Sequence, residues 1–136
     1  MNALKTPDTE ALLQHTADAR APDEYLQRQS DCIRALTSHG ESVVAIVRGS
    51  STPLHLRFEG LQVLFWLSPD DLDTFLHGLA TSSDEPAVAE AARALLFRSQ
   101  IRRTVSAGHP ERLAAYLDST RHEYAKWRFS NESRNA

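Results

Sequence analysis

The sequence predicts an α+β fold: an N-terminal helix or pair of helices, a three-stranded antiparallel β-meander, and three C-terminal helices packed on one face of the sheet. Three observations predict it. Glu41 to Asp71 holds most of the bulky apolar residues of the first half, starting with the β-branched run Val43–Val47. Parts of that stretch alternate apolar and polar residues with the two-residue period of a strand. The segments on either side instead space their apolar residues three and four apart, as a helix does. An antiparallel sheet with helices on one face buries both sets of apolar residues.

Taken in order, Thr6 to Ala19 reads as a first short helix, with Thr6 as N-cap and Pro7 at the first helical position, where a missing N–H costs nothing. Ala21-Pro22 breaks the pattern. From Asp23 to His39, Leu26, Gln29, Ile33 and Leu36 form one helical stripe flanked by Tyr25 and Cys32, and Gly40 follows where a left-handed cap is wanted. Val43–Val47 reads as the first strand and Leu54, Leu56 and Phe58 as the second. Glu59-Gly60 reads as a tight turn, since glycine takes positive φ readily. Leu61–Leu67 returns as the third strand, with Gln62, Leu64 and Trp66 on the face opposite Phe65.

Ser68-Pro69-Asp70-Asp71 reads as a helix start, Ser68 being the N-cap, and the helix continues through Leu72, Phe75, Leu76 and Leu79. A second helix runs from Pro86 to Gly108, and Pro110 opens a third that carries Leu113, Tyr116, Leu117, Thr120, Tyr124 and Trp127 on one stripe. One domain is expected over residues 21–130, preceded by an arm or short helix at 1–20 and followed by a frayed tail at 131–136, because 136 residues supply one core of ordinary size.

Composition narrows the function classes. The longest uninterrupted apolar runs, Val43–Val47 and Val63–Leu67, are far shorter than the ~20 residues that span a bilayer, so no membrane partner is expected. The first residues lack a signal-peptide pattern, and Cys32 is the one cysteine, which excludes an internal disulfide and a cysteine-rich zinc site; a cytoplasmic setting is the expectation. Arginine outnumbers lysine thirteen to two, which resembles the bias of a GC-rich bacterial genome. Residues 1–90 carry six Lys/Arg against fourteen Asp/Glu, net −8, whereas residues 91–136 carry nine against four, net +5.

No catalytic or metal-binding pattern emerges, and no cofactor is expected. The six histidines form no HxxxH or HExxH pair. Asp70, Asp71 and Asp73, like Asp84 and Glu85, sit where helix N-termini attract carboxylates. Gly49-Ser50-Ser51 matches neither a nucleophile elbow nor a phosphate loop, and Cys32 lies beside a core stripe. His55, Arg57 and His77 would make a small-ligand or enzymatic site only if the fold brought them into one pocket.

Two binding readings remain. The preferred one is a small protein-interaction module, such as an inhibitor, immunity-type protein, chaperone or adaptor, docking on a partner protein through Leu64, Trp66 and Gln62 on an open sheet face. The alternative is a nucleic-acid-binding regulator whose C-terminal helices track phosphates with Arg98, Arg102, Arg103 and Arg112. Pairing of two copies through an uncovered sheet face or edge is a further outcome that the sequence leaves open.

Overall fold

The computed structural model describes residues 8–135, with side chains as far as Ser130, and among them there is no strand. Seven helices follow one another: α1 (Thr9–Ala17), α2 (Pro22–Leu36), α3 (Gly40–Arg48), α4 (Leu54–Leu67), α5 (Leu72–Ser82), α6 (Pro86–Gly108) and, after one 3-10 turn at Pro110–Arg112, α7 (Leu113–Asn135). The first six pack as three successive pairs, α1 with α2, α3 with α4 and α5 with α6. The pairs meet around α4, which touches α1, α2, α3 and α6, and α7 crosses from α6 to α2.

The α+β expectation and its β-meander are therefore overturned, and the reason lies in α4. A helix with one wet face shows a period of 3.6, but a helix enclosed on most sides shows none. Leu56, Leu61, Val63, Leu64 and Phe65 are all buried, as are Arg57, Glu59 and Gly60. The apparent alternation in Leu54–Phe58 and Leu61–Leu67 is a by-product of a segment that is apolar nearly all round. The run Val43–Val47 is likewise helical: Val43 and Val47 stand one turn apart and both are buried in the core. Packing here overrides the modest strand preference of β-branched residues.

Three punctuation residues change meaning with the fold. Gly60 is mid-helix without positive φ; it lies where α3 crosses α4, and an added Cβ would stand 2.7 Å from Val47 Cγ2 and 3.6 Å from Val43 Cγ1. Gly40 opens α3 instead of capping α2. Ser68 ends α4 instead of starting α5: its φ of 49° and ψ of 57° are left-handed, and its N–H donates to Leu64 O at 2.9 Å. The N-cap of α5 is Asp71.

Other elements follow the sequence closely. α6 falls where the spacing puts it, α5 carries the expected Leu72, Phe75, Leu76 and Leu79 but starts at Leu72, and the last helix starts at Leu113, one 3-10 turn after the expected Pro110. α1 is capped by Asp8, whose carboxylate accepts from the Ala11 N–H at 3.1 Å; the expected starts at Thr6 and Pro7 lie outside the described residues.

Arginines hold the helix ends together. The last four carbonyls of a helix have no partner within it and carry its negative dipole end. Arg28 donates to His15 O (2.8 Å) and Arg128 to Ala17 O (2.6 Å) in α1, Arg57 to Val47 O (2.8 Å) in α3, Arg102 to Phe65 O (2.6 Å) in α4, and Arg93 to Ala80 O (3.0 Å) in α5. Each guanidinium comes from a different helix than the carbonyl it satisfies, so capping and tertiary packing are the same contact.

Candidate functional site

The course of α7 creates the site. Near the turn Gly108–Arg112, α7 lies beside α6; further along it packs on α2. Arg121 draws it there, donating to Gln29 Oε1 (3.1 Å), Leu26 O (2.6 Å) and Ser30 Oγ (2.8 Å). Arg128 does the same from the next turns, with its guanidinium 4.7 Å from the centre of the Tyr25 ring. A second small apolar cluster, separate from the main core, seals the contact: Ala19, Tyr25 and Ala125, flanked by Tyr124 and Phe129.

Because α7 leans on α2, a groove of about 400 Å³ opens between α6 and α7. Its floor is Phe58, Leu61 and Gln62 of α4, one wall is Ala87, Ala91 and Ala94 of α6, and the other is Tyr124 and Trp127 of α7. Trp127 packs against Tyr124 with ring centres 5.9 Å apart but remains 60% exposed. Phe97, on the outer side of α6, is 64% exposed. Glu90 and Arg98, two turns apart on the groove wall, form no ion pair with any described residue.

The residues expected to dock a partner are divided by the helix. In a strand Gln62, Leu64 and Trp66 would share a face; in α4, Leu64 turns about 200° from Gln62 and is wholly buried. Trp66 is half-buried, edge-on to Phe65 at 6.0 Å, with the Arg121 guanidinium 5.5 Å from its ring centre. Gln62 alone of the three borders the groove. Phe97 and Trp127 were missed because both fit helical spacing that also suits a core, and for Trp127 it is the departure of α7 from α6 that leaves the ring exposed.

The four arginines of the nucleic-acid reading are dispersed as well. Arg102 bonds to Phe65 O and stacks 4.0 Å from the centre of that ring, in surroundings that pull its pKa below the usual arginine value by burial. Arg103 pairs with Asp73 and donates to Ser99 Oγ. Arg98 borders the groove and Arg112 sits in the exposed 3-10 turn.

His55, Arg57 and His77 are not gathered either. His55 Nε2 meets Gln14 Oε1 at 2.8 Å on the α1 side. Arg57, 3% exposed, is spent on Val47 O and on Asp84, whose carboxyl it holds below the usual carboxylate range. His77 is exposed on α5, and neither histidine lines the concavity that Arg57 borders.

One polar cluster escaped the sequence reading. Tyr25 Oη donates to the buried Glu59 carboxylate at 2.7 Å and accepts from Gln29 Nε2 at 3.2 Å. Burial first, then the Glu59 charge, push the Tyr25 phenol well above its ordinary pKa. The lone polar residue in the α2 stripe, Gln29, was its one visible signal. These groups join α2, α4 and α7 and face no groove described above, so they position α7. Cys32 is buried and its thiol is pushed up to about 11 by desolvation, which leaves it a poor nucleophile.

A larger concavity, about 660 Å³, lies between α3 and α5, but Arg48 covers its Phe75 ring at 5.1 Å and Glu41 and Asp71 share its lining. Among the described residues no group of histidines, cysteines or carboxylates has a metal-binding arrangement, and no helix is long and apolar enough to cross a membrane. Compared with known proteins, the chain matches no family model, no curated protein and no solved structure.

Proposed function

We propose that the chain is a protein-interaction module that receives an α-helix of another polypeptide in the groove between α6 and α7. The observation that carries this reading is Trp127, 60% exposed on the wall of an apolar groove floored by the core helix α4, with Phe97 exposed on the outer side of the adjoining α6. Large rings left in water forfeit roughly 25 cal/mol for each Å² of apolar area, and aromatic residues beside a desolvated pocket are the usual anchors of an interface. The groove has helices for both walls and a helix for its floor, so the complementary shape is a further helix with apolar residues at i, i+3 or i+4 and i+7. Inhibitors, immunity-type proteins, chaperones and adaptors all work by such docking without chemistry of their own. The nucleic-acid alternative gains little support, since Arg102 and Arg103 already bond within the fold.

The test is photo-crosslinking in the native host, with a photoreactive residue replacing Phe97, Trp127 or, as a control on another exposed surface, His77. Polypeptide adducts at positions 97 and 127 but not 77 are expected. Adducts to nucleic acid, or none at 97 and 127, would overturn the docking reading.

A further inference from the structure

The wall of the groove carries a charge pattern with its own symmetry. Glu90 and Arg98 lie four residues to either side of Ala94, and neither has a charged partner among the described residues. If two α6 helices lie antiparallel across a two-fold axis at Ala94, Glu90 of each comes level with Arg98 of the other. Ala87 of each then comes level with Ile101 of the other, close to the line of contact. The small side chain at the axis lets the helix axes approach to the short end of the ~8–10 Å range for packed helices, where both charged side chains reach across. We infer that the occupant of this face is a second copy of the chain, paired two-fold through α6. This rests on the docking reading and names its partner. An isologous interface needs one patch that complements itself, which a single acidic and a single basic residue equidistant from a small residue provide.

A charge-exchange experiment on the full chain tests it, read by sedimentation over a range of concentrations with helical content checked by circular dichroism. The wild type should sediment as twice 15.2 kDa when concentrated. Glu90→Arg makes both facing positions basic and Arg98→Glu makes both acidic, so each variant alone should dimerise more weakly by on the order of tenfold or more. Mixed in equal amounts, the two variants should restore the dimer, because every facing pair is again of opposite charge; the double variant Glu90→Arg/Arg98→Glu should also pair. A wild type that stays monomeric, or a dimer indifferent to the single exchanges, would overturn the inference. A monomer that still gives polypeptide crosslinks at positions 97 and 127 would leave the docking reading standing and remove only the self-pairing.

Discussion

Val47 Cγ2 occupies the space that a side chain at Gly60 would need, 2.7 Å from the position of its Cβ. The absent side chain is what lets α3 lie on α4, and the valine is too stiff at χ1 to swing aside. Alanine is the better helix former by about 1 kcal/mol, so an unpacked Gly60 would gain from replacement. Gly60→Ala is instead expected to lower stability by about 1–3 kcal/mol in urea unfolding, the cost of overpacking. Val47→Ala added to it should recover part of the loss, a coupling that separates crowding from a turn requirement.

Arg57 joins α3, α4 and the α5–α6 connection. Arg57→Ala orphans the Val47 carbonyl and should cost about 1–3 kcal/mol in the same assay. Its partner gives the effect a pH signature. The Asp84 carboxyl is held below its ordinary value, first by the Arg57 hydrogen bond, so the stability it contributes is present above the unfolded pKa of about 4 and is lost as pH falls through the depressed folded value. Asp84→Asn should flatten the acid limb of stability against pH, and an unchanged limb would count against the pairing.

Tyr25→Phe removes one donor to the buried Glu59 carboxylate and is expected to destabilise the fold by about 1–3 kcal/mol. The raised phenol pKa means that the folded chain keeps this proton while the unfolded chain gives it up. The corresponding stability is intact below the unfolded pKa of about 10 and declines as pH rises above it. Ultraviolet titration should show one tyrosine that ionises only with unfolding, and Tyr25→Phe should abolish that component.

Ser68 holds a left-handed conformation that costs an L-residue roughly 1–2 kcal/mol, while its N–H keeps the Leu64 bond. Ser68→Gly should therefore raise the unfolding free energy measured in urea by about 0.5–1 kcal/mol, after the added chain entropy of glycine is set against the relief.

How much of this was legible in the sequence depended on how each helix is exposed. α5 and α6 have a dry side and a wet side, and Pro86, Gly108 and Pro110 mark real boundaries, so spacing located them. α4 was illegible for the opposite reason, being enclosed by four other helices until its pattern imitated two strands and Gly60 imitated their turn. The docking residues followed that error: Leu64 and Trp66 share a side only in a strand. The arginine excess carried more structural meaning than its composition suggested, since five guanidiniums close helix ends. No local pattern in the sequence marks which carbonyl a distant arginine will reach. The groove depends on α7 leaving α6 for α2, a long-range choice made by Arg121, Arg128 and the Tyr25 cluster.

The proposed docking requires Trp127 to stand exposed beside an open groove until another polypeptide covers it. Acrylamide quenching of Trp127 fluorescence in a Trp66→Phe background tests it most directly, in dilute and in concentrated solution. Solvent-like, readily quenched emission is expected when dilute and protected emission when concentrated, as a second copy covers the groove. Protection already complete in the dilute monomer would mean that the groove is not open and would rule out docking there.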